Sequence, residues 1–77
     1  MNKFRRQELR EAIEALSSVS DIINEVLSEE QDSFDNLPES FQYSERGEKM
    51  EDNISDMENA VSNIDDIIEL LEEVIDR

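Results

Sequence analysis

Apolar residues recur at intervals of three and four positions through both halves of the chain. In the first half this row consists of Leu9, Ala12, Leu16, Val19, Ile23 and Val26. In the second half it consists of Met50, Ile54, Met57, Val61, Ile64, Ile68, Leu71 and Ile75. This spacing is typical of the a and d positions of heptad repeats. It predicts two amphipathic helices, at about 2–33 and 45–76.

The segment between the predicted helices, residues 34–44, has the features of a turn. It contains the only proline of the chain, Pro38, which suits the start of a short helical turn. Ser44 is a favourable N-cap for the second helix. The only glycine, Gly47, follows in the first turn of that helix, where it costs up to about 1 kcal/mol relative to alanine, so we expect close backbone packing there or a partner. We therefore predict an all-α fold, an antiparallel two-helix hairpin that forms a single domain over residues 1–77.

The uneven distribution of charge agrees with an antiparallel arrangement. Residues 1–10 carry a local charge of +3, so the remaining residues carry −18. An antiparallel hairpin places this basic start beside the acidic segment 65–76. Each exposed ion pair contributes only about 0–1 kcal/mol, so the pairing selects the orientation more than it stabilises the fold.

Both predicted helices carry more apolar residues than a single seam between two helices can bury. The additional positions are Ile13, Ile22, Leu27, Ile67 and Val74. Leaving each of them in water would forfeit about 1.5–3 kcal/mol of burial. A dimer of hairpins buries such rows in a four-helix bundle, and we predict this homodimer. The alternative is that a different protein covers the same rows.

The composition narrows the function classes. The 77 residues include no Cys and no His, which removes disulfides, thiolate zinc sites and the commonest general base. The 22 Asp and Glu outnumber the 7 Lys and Arg, and the net charge of −15 repels nucleic-acid phosphates and anionic lipids. No apolar run approaches the roughly 18 residues of a membrane span or follows the basic start as in a secretory signal. We expect a non-enzymatic cytoplasmic protein that uses no cofactor and contacts neither nucleic acid nor a membrane directly.

Two acidic features each suggest a specific function, a magnesium site in one case and mimicry of nucleic acid in the other. Glu72, Glu73 and Asp76 spell the E-E-x-x-D pattern with which all-α nucleotide pyrophosphohydrolases hold magnesium. Because Leu71 and Ile75 belong to the seam, we expect these carboxylates to point outward, which makes a magnesium-dependent hydrolase the least favoured function. The acidic surface as a whole also resembles a row of phosphates, so a nucleic-acid-mimicking inhibitor is a further alternative.

The turn is the candidate binding surface. Its apolar anchors and nearby cations are Phe34, Leu37, Phe41, Tyr43, Arg46 and Lys49. The aromatic rings either close the end of the bundle or bind a partner, and the two roles are compatible. The same residues, brought together by oligomerisation, define an alternative function, a protein that sequesters a nucleotide or another small ligand.

The stretches 34–40 (FDNLPES) and 44–51 (SERGEKME) are the most distinctive part of the chain. They resemble a run in small, uncharacterised acidic helical-hairpin proteins of bacteriophages and prophages of Gram-positive bacteria. The resemblance implies a helical hairpin and a phage setting, in which small accessory proteins often inhibit or sequester host factors. It carries over no catalytic or binding residue. The leading hypothesis is an accessory protein that binds a host or phage macromolecule through its hinge or its acidic face.

Overall fold

The computed structural model describes residues 1–77, and its regular elements are all helices. Helix α1 spans Lys3–Asp35, the short helix α2 spans Glu39–Gln42, and helix α3 spans Glu45–Asp76. The all-α class is therefore confirmed. The second predicted helix has the observed bounds, and the first continues about two residues further than predicted.

Side chains cap the N-terminal ends of both long helices. Asn2 Oδ1 accepts a hydrogen bond from the backbone N–H of Arg5 at 2.8 Å. Ser44 Oγ accepts one from the backbone N–H of Gly47 at 3.3 Å, so the predicted cap is confirmed. The Ser44 hydroxyl also donates to the carbonyl oxygen of Phe41. The two caps satisfy N–H groups that have no partner within the helix, and the bond from Ser44 to Phe41 ties α3 to α2.

Replacing Ser44 by alanine is expected to lower the free energy of unfolding by about 1 kcal/mol, because the cap and the bond to Phe41 are both lost. Denaturant titration followed by circular dichroism measures the change. Asn2→Ala is the matched control, since it removes a cap that has no second bond. If Asn2→Ala lowered the free energy of unfolding as much as Ser44→Ala, the bond to Phe41 would contribute nothing measurable.

Helices α1 and α3 pack side by side. Near the turn, the Asn53 side-chain amide donates to Glu30 Oε2 at 2.9 Å. At the other end, Arg10 lines a groove together with Ile75 and Asp76. Early residues of α1 thus lie beside late residues of α3, and residues near the end of α1 lie beside early residues of α3. The resulting molecule is a narrow rod with extents of 58 × 15 × 13 Å.

The seam of α1 differs from the predicted row at alternate positions. The buried or half-buried positions that repeat along the helix are Leu9, Ile13, Leu16, Ser20, Ile23, Leu27, Glu30 and Phe34. Ala12, Val19 and Val26, which the pattern predicts in the seam, are exposed. Ile13 and Leu27, predicted on a flanking row, lie in the seam instead, so this part of the prediction is wrong. In α3 the predicted row is confirmed, because every member is buried or half-buried.

The core lies near the turn and explains the shift in α1. The only buried hydrophobic residues are Met50 and Ile54, each 8% exposed, in the first three turns of α3. The observed row of α1 reaches this end of the molecule at Phe34, which is half-buried, whereas the predicted row would reach it at Ser33. Covering an aromatic ring stabilises the pair far more than covering a hydroxyl, and this favours the observed row.

Gly47 allows α3 to begin directly against the backbone of α2. A Cβ atom built on Gly47 would lie 2.6 Å from the carbonyl carbon of Gln42 and 2.7 Å from the carbonyl oxygen of Phe41. Real Cβ atoms essentially never approach closer than 3.0 Å. The close packing predicted at this glycine is confirmed. The reason is space, since no residue of the chain has a positive φ.

Candidate interaction surfaces

The turn presents two aromatic rings to solvent. Phe41 is 56% exposed and Tyr43 is 79% exposed, whereas Phe34 and Leu37 are half-buried. Gln42 Nε2 donates to the carbonyl oxygens of Phe34 and Leu37 at 3.3 and 3.2 Å, which fixes α2 against the end of α1. The structure thus divides the predicted group. Phe34 and Leu37 help to close the end of the molecule, and Phe41 and Tyr43 remain exposed.

The two cations of the turn surface are exposed at the start of α3. Lys49 Nζ lies 3.3 Å from Glu45 Oε1, with both side chains more than 70% exposed, so this pair adds little to stability. It is the only ion pair within 4.0 Å, so Arg46 has no carboxylate at that distance. The two cations follow Tyr43 by three and six residues. We call Phe41, Tyr43, Arg46 and Lys49 the turn surface.

A second exposed apolar surface runs along one side of the rod. In α1 it consists of Val19, Ile22 and Val26, which are 46%, 61% and 47% exposed. In α3 it consists of Ile67 and Leu70, which are 46% and 57% exposed. We call these five residues the apolar face.

Both parts of the apolar face lie on the same side of the helix pair. Glu30 follows Val26 by one turn of α1, and Asn53 precedes Ile67 by two heptads in α3. Their side chains form the 2.9 Å hydrogen bond across the seam, so these sides of the two helices adjoin. The opposite side of the pair holds the groove around Arg10, Glu72 and Asp76. One side of the rod is therefore apolar along part of its length and the other is polar.

The apolar face only partly coincides with the residues predicted for an oligomer interface. Ile22 and Ile67 belong to it. Ile13, Leu27 and Val74 are half-buried, and the first two are used in the seam. Sequence reasoning missed Leu70 entirely and assigned Val19 and Val26 to the seam. The 3,4 spacing of Ile67, Leu70 and Val74 beside the main row of α3 was the signal that could have revealed Leu70.

All acidic side chains except the half-buried Glu30 are exposed. Glu72, Glu73 and Asp76 are all exposed, as the heptad pattern predicts. Glu72 and Asp76 border the shallow groove that Arg10 also lines, but none of their oxygens lies within ion-pair distance of its guanidinium. The predicted proximity of the basic start to the acidic end of α3 is thus seen without direct ion pairs. No group of three or more Asp or Glu side chains is arranged to hold a metal ion.

Comparison with protein-family models, with curated proteins and with solved structures finds no match to this chain. The helices themselves are too polar for their length to traverse a lipid bilayer. The class that the structure defines is therefore an all-α protein made of two long, packed helices and a short one. Its exposed large hydrophobic residues lie mainly on the turn surface and the apolar face.

Proposed function

We propose that this protein is a non-enzymatic interaction protein, a helical hairpin that dimerises into a four-helix bundle and binds a host or phage macromolecule. One observation carries the proposal. Two hydrophobic residues are buried, whereas nine large ones are at least 46% exposed. Exposed apolar surface of this extent marks a surface that associates with another molecule.

The turn surface is the part that binds the macromolecular partner. Tyr and Arg are enriched among the residues that dominate protein interfaces, and here they stand beside an exposed Phe on a turn held by the Gln42 hydrogen bonds. Arg46 and Lys49 are the only cations between residues 11 and 76, so they favour an acidic site on the partner. The resemblance of residues 34–40 and 44–51 to phage and prophage proteins supports a phage setting and a place in the host cytoplasm.

The exposed positions of Glu72, Glu73 and Asp76 favour binding over catalysis. Electrostatic stabilisation of a reacting phosphate is strong only at a site that excludes water, because water screens the charges. These three carboxylates lie in open solvent. The acidic face then serves solubility, and it is the second candidate surface for a macromolecular partner.

Self-association is tested by sedimentation velocity over a range of protein concentrations. We expect a monomer–dimer equilibrium that the double variant Ile22→Gln, Leu70→Gln weakens by at least about tenfold, because each side chain buries apolar area worth about 1.5–3 kcal/mol when covered. The matched control is Ser17→Gln, Ser62→Gln, at exposed positions on the polar side. A wild-type chain that is still monomeric at a protein concentration of about 100 μM would refute dimerisation, because the Kd of the dimer would then be too high for a specific complex.

Partner binding is tested by affinity capture from lysates of a Gram-positive host, with and without phage infection. We expect one protein to be captured in stoichiometric amount by the wild type and lost with Phe41→Ala, Tyr43→Ala. Ser17→Gln, Ser62→Gln again serves as the control. Capture that survives the turn variant but disappears at raised salt would assign binding to the acidic face instead. Stabilisation of the pure protein by nucleotides in a thermal-shift assay would favour the ligand-sequestering alternative.

A further inference from the structure

The charge distribution and the apolar face together indicate how two copies fit, an inference that rests on the proposed dimerisation. The chain exposes 5774 Å². A compact monomer of 9.0 kDa exposes about 4,850 Å². The excess of about 900 Å² is close to the roughly 800 Å² that each partner buries in an interface of standard size. The elongated chain thus exposes more surface than a compact monomer by about the area that one side of a stable dimer buries, and a second copy brings the same apolar face to the contact.

The apolar stripe of α1 extends beyond the end of α3. Arg10 lies level with Ile75 and Asp76, so the first two turns of α1 project past the last turn of α3. Phe4 lies on this projection and is 71% exposed. It precedes Ile22 by 18 residues, which is five full helical turns, so both side chains leave α1 on the same side. Phe4 therefore belongs to the same stripe but has no α3 residue beside it.

A second copy, related to the first by a two-fold axis that passes near Ala15 perpendicular to α1, covers this projection. Ala15 is midway between Phe4 and Val26, and its exposed methyl group lets two helices approach closely. In this arrangement residue i of one protomer lies level with residue 30 − i of its partner. Phe4 of each copy then meets Val26 of the other, as the self-complementarity of a two-fold interface requires.

The charges select this orientation over the one with both turns at the same end. The cations lie only in the segments 3–10 and 46–49 and at Arg77. Under the axis at Ala15, the start of each protomer, residues 1–10 with a charge of +3, lies level with residues 20–29 of the partner, which carry −3. The α3 segment at that level, about residues 56–65, also carries −3. With both turns at the same end, the basic start of one copy would lie beside the basic start of the other, and the acidic middles would also lie side by side. Like charges repel each other at distances within the Debye length of about 10 Å, so this orientation is disfavoured.

We propose that the apolar face is the site of a second copy of this chain, packed in the opposite direction about a two-fold axis near Ala15. The two turn surfaces then lie at opposite ends of the dimer. A partner molecule with two acidic sites would have to span the whole dimer to bind both ends, so each turn surface engages its own partner molecule.

Electron–electron double resonance between two spin labels tests the orientation. The chain has no Cys, so Ser33→Cys gives one label per protomer, at an exposed position that continues the row of Val19 and Val26 but lies past the first residue of the partner in the proposed arrangement. We expect an axial separation of about 54 Å, because Ser33 is 18 residues from the axis in each copy. The turns-together orientation gives about 25 Å or less, since packed helices lie only 8–10 Å apart. Ser17→Cys is the control, because it lies close to the axis and gives similar distances in both orientations.

The possible outcomes separate the two proposals. A Ser33 distance near 54 Å supports the opposite orientation. A short Ser33 distance overturns it and leaves dimerisation standing. A signal without dipolar modulation in both labelled chains, at a concentration where sedimentation shows monomers, overturns dimerisation itself.

Discussion

Replacing Gly47 by alanine is expected to destabilise the protein by about 2–3 kcal/mol and to lower its melting temperature by about 10 °C or more. Helix propensity alone predicts the opposite sign, a gain of up to about 1 kcal/mol for Gly→Ala within a helix. The structure reverses this expectation, because the new methyl group would collide with backbone carbonyl groups of Phe41 and Gln42. Neither group is the flexible end of a side chain, so the collision is relieved only by moving α2 away from α3. Thermal unfolding followed by circular dichroism measures the effect.

Ser62→Ala is the control for the Gly47 variant. It adds helix propensity at an exposed position of α3, so a gain of a few tenths of a kcal/mol is expected. If Gly47→Ala also stabilised the protein, then α2 would not rest on the first turn of α3, and the turn surface described above would not exist in that form.

Replacing Ile54 by alanine is expected to lower the free energy of unfolding by about 2–4 kcal/mol, with Ile54→Val costing about 1 kcal/mol. A chain of this size is stabilised by only about 4–12 kcal/mol in total, so the alanine variant loses a large part of its stability. The reason is that Ile54 and Met50 are the only buried hydrophobic residues, and a cavity there has few neighbours able to fill it. Urea denaturation of both variants gives the two free energies.

Ile22→Ala is the matched control, since it removes the same atoms from a residue that is 61% exposed. At a concentration where the chain is monomeric, it is expected to cost less than about 1 kcal/mol. At a concentration where dimers form, its cost should grow if Ile22 is covered by a second copy. Equal losses for Ile54→Ala and Ile22→Ala in the monomer would mean that the core is not concentrated near the turn.

Local interactions determine where the helices end and begin at the turn, but they do not determine which aromatic side chains of the turn are exposed. Pro38 and Ser44 act through their own backbone geometry and nearest N–H groups, which is why the helix bounds at this end could be predicted. The turn has one pair of half-buried side chains, Phe34 and Leu37, and one pair of exposed side chains, Phe41 and Tyr43. Which pair is exposed depends on how the Gln42 side chain hydrogen-bonds to the carbonyl oxygens of Phe34 and Leu37. That contact spans five and eight residues and follows no periodic pattern, so the sequence predicted the aromatic group without showing which rings remain exposed.

The sequence by itself determined the two helices, the Ser44 cap of the second and the acidic exterior, because these depend on residue spacing and on the chemistry of single positions. It did not determine which of two adjacent apolar rows of α1 packs against α3. A stripe wide enough for two rows has the same helical period in both cases, so Ile13 and Leu27 are as consistent with the pattern as Ala12 and Val26. Only the tertiary structure decided this, because the row that ends at Phe34 covers an aromatic ring at the end of the helix pair that also holds the buried Met50 and Ile54. The same choice leaves Val19, Ile22 and Val26 exposed, and so it also decided which side of the protein is open to a partner.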